Sequence, residues 1–246
     1  MIRLKRAPVP SKLDASKISE LTDQFKADGS SVWNKSFIKK PLLASSSGKC
    51  AFCEAKIDEE SKYMEVEHFR CKKHHPNLVV IWDNLLPSCK RCNGEKGEHN
   101  VVTDGMIVDP YVDNPNKHLY LRNFRLYEKD DIGKETIRAV YLNDSDRVVR
   151  LRFEIGTEVC EALCTIKEDV DKILAGDTSL KTQKKVVRAV HKLLNEAQPS
   201  EQYSATVATV LLADPNYMSI RSYLEGSGIW SQFQELEDKA KKNALF

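Results

Sequence analysis

The chain has 246 residues, of which 41% are hydrophobic and 30% charged, with only 10 Gly and 9 Pro. This balance is typical of an ordinary folded protein rather than a disordered or fibrous one, and the length allows one large domain or two small ones. Because 38 Lys and Arg stand against 36 Asp and Glu, the net charge is only +2 and bulk electrostatics do not indicate nucleic-acid binding.

The first residues carry positive charge without an apolar run behind them, and no stretch approaches the roughly 18 apolar residues of a membrane span. We therefore expect a cytoplasmic protein that does not enter the membrane. In that reducing compartment, the seven cysteines favour metal binding or plain burial over a disulfide framework.

The N-terminal half mixes short predicted elements. Apolar residues at spacings of three and four predict a helix from Asp14 to Lys26, and the stretch from 27 to 49 is typical of irregular structure with buried anchors. Strand-like patterns cover Tyr63 to Phe69 and Thr136 to Leu142, and the segment from Asp83 to Lys96 predicts a loop that passes into a helix.

The C-terminal part is predicted to be helical almost throughout, with helices near 146–174, 180–196, 201–213 and 229–243. It carries no recognisable chemistry, so we expect it to dock a partner. The segment from Lys181 to Lys192 is basic and amphipathic, which fits either a nucleic-acid contact or a solvated helix face.

The strongest chemical signal is a pair of Cys-x2-Cys motifs, formed by Cys50, Cys53, Cys89 and Cys92. Each motif can place two thiolates about 2.3 Å from one tetrahedral zinc ion. A closed four-thiolate site leaves no open position for water, so the predicted zinc is structural. The alternative is four buried or redox-active cysteines.

The remaining cysteines give weaker signals. Cys71 lies close to His74 and His75, which could offer a competing ligand set, although a charged surface loop is the simpler interpretation. Cys160 and Cys164 lie one helical turn apart in an apolar pattern, which favours core packing.

Between and after the two motifs lie the segments Glu65-Val66-Glu67-His68-Phe69, Trp82-Asp83-Asn84-Leu85-Leu86 and Asn93-Gly94-Glu95-Lys96. Here the sequence resembles the HNH endonuclease family, which has the ββα-metal fold. The resemblance implies that His68 is the general base and that Asn84 orients it. It also implies that Glu67 and Asn93 hold the catalytic divalent metal ion.

Phosphodiester hydrolysis requires the same residue types. The reaction needs a base with a pKa near neutrality, and His is the side chain whose unperturbed pKa lies there. It also needs positive charge near the phosphate oxygens, which a hard divalent ion bound by oxygen ligands can supply. With Asn93 rather than a histidine on the helix, Mg²⁺ or Mn²⁺ is favoured over zinc.

Strand geometry sets a condition on this site. Neighbouring strand residues point to opposite faces, so Glu67 and His68 can share a site only if the strand bends or ends there. Glu65, two residues before Glu67, therefore remains a rival metal ligand. The basic residues Lys96, Arg70 and Arg91 are candidate phosphate contacts, and solvated surface charge is an equally good interpretation of each.

The flanking residues narrow the resemblance. The N-terminal Lys-Arg-x-Pro stretch, the Trp-Asp-Asn-Leu-Leu segment and Val108-Asp109-Pro110 look like those of the PtuB-type HNH proteins of Septu and retron-associated anti-phage systems, over roughly residues 1 to 150. That likeness implies a partner, an ABC-type ATPase called PtuA. The chain itself has no Walker-type phosphate loop, since Gly133-Lys134 lacks the preceding glycine and the following Ser or Thr.

We thus expect an α+β protein with an N-terminal helical and irregular segment (1–48), a zinc-containing ββα-metal nuclease module (49–145) and a mainly helical C-terminal region (146–246). The expected activity is metal-dependent cleavage of nucleic acid, with DNA favoured over RNA. An RNA-directed nuclease and a non-catalytic zinc module that binds nucleic acid or protein are the alternatives.

Overall fold

The computed structural model describes residues 1–59 and 63–246, which fall into two compact units. The first unit comprises Met1–Leu119 and Tyr127–Asn143, and the second comprises Tyr120–Leu126 and Asp144–Phe246. Within the described ranges, none of the helices combines the length and the apolar character that crossing a membrane would require.

Two short strands and the helix after them form the centre of the first unit. They are β1 (Glu65–His68), β2 (Leu85–Ser88) and α3 (Lys90–Lys96), and the other helices of this unit are α1 (Ala15–Asp28), α2 (Ser36–Ser45), α4 (Pro115–His118) and α5 (Asp131–Ala139). A second two-stranded sheet joins β3 (Leu119–Arg122) to β4 (Arg125–Glu128). This mixture of small sheets and more numerous helices confirms the predicted α+β class.

The central strands are antiparallel, with Glu65 opposite Ser88 and His68 opposite Leu85. All four residues of β2 are buried. The helix α3 follows almost at once, because the Cys89 side chain accepts a hydrogen bond from the backbone N–H of Cys92 and caps its first turn. The chain therefore runs strand, strand, helix across the region that holds the predicted site residues.

A buried ion pair fastens α3 to β1. The Lys96 ammonium, 2% exposed, donates hydrogen bonds of 2.8 Å to a Glu67 carboxylate oxygen and of 2.8 Å to the His68 carbonyl. Burial raises the pKa of Glu67 even though the charge of Lys96 lowers it. Since both partners are out of water, loss of either one would leave a buried charge without compensation.

The second unit is built from helices. They are α6 (Arg150–Leu174), α7 (Leu180–Glu196), α8 (Ser204–Ala213), α9 (Pro215–Gly226) and α10 (Gln234–Asn243), with one π turn (Ser145–Val149) before α6 and one 3-10 turn (Trp230–Phe233) before α10. The long helix α6 packs against α7, α8 and α9 around an apolar core. The four helices predicted in this region are confirmed, and α9 is additional.

Two sequence predictions for local structure are wrong. The stretch predicted to be irregular contains α2, with Pro41 inside the helix. The strand predicted over Thr136 to Leu142 is instead the end of α5, which begins where the Asp130 side chain accepts a hydrogen bond from a backbone N–H of the first turn. Pro215 lies just after the end of α8 and opens α9 after the capping residue Asp214.

The buried pair gives a stability prediction. We expect Lys96→Met to lower the free energy of unfolding by about 3 kcal/mol or more, because Glu67 would then be a buried carboxylate without its counterion. Lys73→Met is the matched control, since the ion pair that it removes, with Glu98, is mostly exposed and should contribute little to stability. Urea unfolding measures both, and equal losses would contradict the prediction.

Candidate metal centre and active site

The four cysteines of the two Cys-x2-Cys motifs converge. Their sulfur atoms all lie within 4.8 Å of one another, and the sulfurs of Cys53 and Cys89 are 3.8 Å apart. Four sulfurs at about 2.3 Å around a tetrahedral zinc ion would be about 3.8 Å from each other. The predicted convergence is confirmed, and the donor set is compatible with one zinc ion.

Local structure explains how the sulfurs meet. Cys50 and Cys53 lie on a tight turn enclosed by a bridge between Lys49 and Lys56, and a hydrogen bond from Ala51 to the carbonyl of a β2 residue holds this turn near the start of α3. Burial would raise the pKa of the Cys50 thiol, but hydrogen bonds with the other three thiols lower it well below its usual range. Hydrogen bonds with Cys50 raise the pKa of the Cys53 and Cys92 thiols well above their usual range, so the cluster favours a thiolate at Cys50, and the thiolate is the form that binds metal.

The competing ligand set is not formed. Cys71 is buried outside the cluster, and across residues 1–59 and 63–246 no other three His, Cys, Asp or Glu side chains converge in this way. His75 is instead engaged with the side chain of Asn100 at 3.3 Å.

His68 is the last residue of β1 and is 2% exposed. Its Nε2 atom lies 2.9 Å from the carbonyl oxygen of Val79, which can only accept a hydrogen bond. The contact therefore fixes the neutral tautomer with the proton on Nε2 and the lone pair on Nδ1. Burial lowers the pKa of His68 to about 4, so the ring is neutral at pH 7.

Trp33 packs against His68, with ring centroids 4.8 Å apart and planes at 84°. Its indole ring is only partly buried, whereas the neighbouring Val32 is 2% exposed. The ammonium of Lys72 lies over the Trp33 ring, 5.0 Å from its centroid. The sequence predicts Trp33 only as a hydrophobic anchor, since nothing local signals that it lies beside a residue 35 positions away.

Asn84 acts on the backbone around His68. Its side-chain oxygen accepts a hydrogen bond of 2.8 Å from the backbone N–H of Arg70, and its amide donates to the carbonyls of Arg70 and Leu78, both at 3.1 Å. The backbone carbonyl of Asn84 also accepts from the N–H of Phe69. Asn84 therefore fixes the loop that leaves β1 rather than the imidazole ring itself.

Arg6 secures the same loop from the N-terminal segment. Its guanidinium donates to the carbonyls of Trp82 at 2.8 Å, Asp83 at 3.1 Å and Leu85 at 2.9 Å, which flank Asn84 on both sides. The sequence signals Arg6 only as part of the Lys-Arg-x-Pro stretch, and a contact between residues this far apart in the chain has no local pattern.

The three candidate metal ligands, Glu65, Glu67 and Asn93, have different hydrogen-bond partners. The Asn93 amide donates a hydrogen bond of 2.6 Å to Glu65, while one carboxylate oxygen of Glu67 is bound by Lys96 at 2.8 Å. The other oxygen of Glu67, Oε2, is buried and has no hydrogen-bond partner among the described residues. The strand ends at His68, which is the condition under which Glu67 and His68 can serve one site.

The three predicted phosphate contacts have different surroundings. Lys96 is buried in its pair with Glu67, so its ammonium is not at the surface. Arg91 donates to the carbonyl of Tyr141 at 2.9 Å and lines a cavity beside α3. Arg70 is exposed, and its backbone is held by Asn84.

Comparison with known proteins gives relatives over the whole chain. A Septu protein PtuB of Bacillus thuringiensis is 42% identical over 247 aligned residues, which cover 100% of this chain and 95% of that protein. A second Septu protein PtuB, from Bacillus mycoides (strain KBAB4), is 24% identical over 81% of each chain. Protein ea31 of Escherichia phage lambda is 34% identical over 88 residues, or 35% of this chain and 27% of that protein.

No protein-family profile matches the chain. No solved structure matches it either. Because the first relative exceeds two fifths identity over essentially the full length of both proteins, the chain belongs to the Septu protein PtuB family.

Proposed function

We propose that this chain is a metal-dependent HNH endonuclease that hydrolyses nucleic-acid phosphodiester bonds as an effector of anti-phage defence. The observation that carries the proposal is the order strand, strand, helix, in which β1 ends on His68 and α3 carries Asn93. This is the arrangement that the resemblance to the ββα-metal fold implies for a general base and a metal ligand.

His68 is the proposed general base. The Val79 carbonyl holds the ring proton on Nε2. The Nδ1 atom therefore carries the lone pair that would accept a proton from the attacking water. Burial lowers the pKa of His68 to about 4, below the near-neutral value that is best suited to a general base, so the ring is neutral at pH 7 and can accept a proton but is a weaker base than an unperturbed histidine. Asn84 and Arg6 keep the loop after β1 in place and thus position His68 without touching the reacting atoms.

Oxygen atoms on β1 and α3 are the proposed holders of the catalytic Mg²⁺ or Mn²⁺. Glu67 and Asn93 are the proposed ligands, with Glu65 as the rival, and the unpartnered buried oxygen of Glu67 is one that a cation would satisfy. When bound, the divalent ion would offset negative charge that develops on the phosphate oxygens.

The four-cysteine cluster is the proposed site of one structural zinc. Its sulfur spacing suits a closed tetrahedral site, and it ties the turn at 50–53 to the start of α3. Since α3 carries Asn93, zinc binding would support the candidate active site without taking part in the reaction.

The biological role rests on relatives. Both proteins that align over 81% or more of this chain carry the name Septu protein PtuB. The likeness to PtuB-type proteins implies anti-phage defence together with a PtuA-type ATPase. The absence of a Walker-type loop from the sequence is compatible with a separate ATPase subunit. We propose DNA as the substrate in preference to RNA.

The catalytic assignment predicts the effect of one substitution. We expect His68→Asn to lower the cleavage rate at least about 100-fold, because no side chain would then take the proton from water. Plasmid DNA and total RNA in Mg²⁺ or Mn²⁺, with and without the ATPase partner, are the substrates. His191→Ala, in the exposed face of α7, is the matched control and should cut like the parent. Undiminished cleavage by a folded His68→Asn protein would refute the assignment.

The zinc assignment predicts metal content. We expect one zinc per chain in the purified protein, and we expect Cys92→Ala to lose it and to melt at a lower temperature, because metal binding contributes directly to folding. Cys164→Ala is the control, since this cysteine lies outside the cluster and is exposed, so that the core packing predicted for it is wrong. Elemental analysis with thermal unfolding measures both effects. A zinc content that Cys92→Ala leaves unchanged would be evidence against the site.

A further inference from the structure

A cleft beside β1 opens next to the candidate active site. It has a volume of about 400 Å³, within the range of ligand-binding pockets. Its lining includes Trp33, Lys39, Tyr63, Glu65, Lys72 and Asn93. The pair formed by Glu65 and Asn93 therefore faces this cleft, and Trp33 both lines the cleft and packs against His68.

A second cavity continues from the first. Its volume is about 460 Å³, and it shares Tyr63 and Glu65 with the cleft. Its cationic lining residues are Lys56, Lys90 and Arg91. Glu65 thus lies at the junction of two cavities within the first unit.

The charges along the two cavities suit a polyanion. Lys39 and Lys72 line the cleft, three further cations line the second cavity, and Glu65 belongs to both. The region from 49 to 100 has nine basic and nine acidic residues, so this is a local arrangement rather than a general excess of positive charge. A nucleic-acid backbone, with one phosphate per nucleotide, could contact the cations of both cavities as it passes Glu65 and Asn93.

Aromatic rings are interleaved with these cations. The Lys72 ammonium covers a face of the partly exposed Trp33 ring at 5.0 Å. A nucleobase stacking on that face would replace the ammonium and leave it free to contact a phosphate. Tyr63, whose exposed fraction is 80%, offers a second ring at the junction of the two cavities.

Stacking of a base on Trp33 would favour single-stranded nucleic acid over a duplex. Within a duplex, neighbouring bases cover both faces of each base, so only an unstacked base can lie against an indole ring. We infer that these cavities bind single-stranded nucleic acid, with one base on Trp33 and the backbone between Lys72 and the cations near α3. The inference rests on the proposed nuclease function and names the form of its substrate.

The first test is binding without cleavage. Fluorescein-labelled oligo-dT and oligo-rU of about 12 nucleotides and a duplex of equal length are titrated with the full chain, without added Mg²⁺ or Mn²⁺. We expect the single strands to bind more tightly than the duplex, and Trp33→Leu to weaken single-strand binding about tenfold. Phe153→Leu, at an exposed aromatic residue of the second unit, should change nothing.

A second variant keeps the inference testable if Trp33→Leu does not fold. Lys72→Ala should reduce the slope of log affinity against log salt for single strands by about 0.7, as expected for one lost phosphate contact. Lys73→Ala is its matched control, because Lys73 is exposed and paired with Glu98. Tighter binding of the duplex, or single-strand binding that neither Trp33→Leu nor Lys72→Ala changes, would overturn the inference.

These results separate the inference from the proposed function. If the protein cleaves nucleic acid through His68 but binds independently of Trp33 and Lys72, the nuclease proposal stands and the single-strand site fails. If binding depends on Trp33 and Lys72 but no substrate is ever cut, the single-strand site stands and the nuclease proposal fails.

Discussion

The convergence of two cysteine pairs is the constraint on which the centre of the first unit depends. The strands β1 and β2 have four residues each, and a sheet of two such strands is marginal by itself. The cysteine cluster links the turn at 50–53, which precedes these strands in the sequence, to the start of α3, which follows them. Everything proposed for the active site requires α3 to be held at β1, and a four-thiolate metal site would contribute directly to that.

The interface between α3 and β1 gives two neighbouring carboxylates different roles. Glu67 lies inside, neutralised by Lys96, whereas Glu65 lies at the cleft and receives the Asn93 amide. The positive charge of Lys96, buried beside the candidate metal site, stabilises Glu67 and is not accessible to a substrate. Lys96, one of the three predicted phosphate contacts, is therefore part of what holds α3 to β1, while partly exposed residues around Trp33 form the accessible surface.

Features set by residues close together in the sequence could be predicted, whereas contacts between residues far apart in the sequence could not. The cysteine spacing and the helical periodicity beyond residue 146 are local signals, and they correctly predict the convergence of the four cysteines and the helices of the second unit. The helix start marked by Asp130 is also a local signal, but the β-branched residues between Thr136 and Leu142 favour a strand over the same segment. The partner of Lys96 lies 29 residues away, and no pattern in the sequence specifies such a pairing.

The central claim is that one zinc frame holds an oxygen-ligand metal site beside His68. Anomalous diffraction from crystals grown with Mn²⁺, recorded at the zinc and manganese edges, tests it most directly. We expect a zinc peak about 2.3 Å from four cysteine sulfurs and a manganese peak among the oxygens of Glu65, Glu67 and Asn93. A cysteine cluster without metal, or manganese bound only elsewhere on the protein, would contradict it.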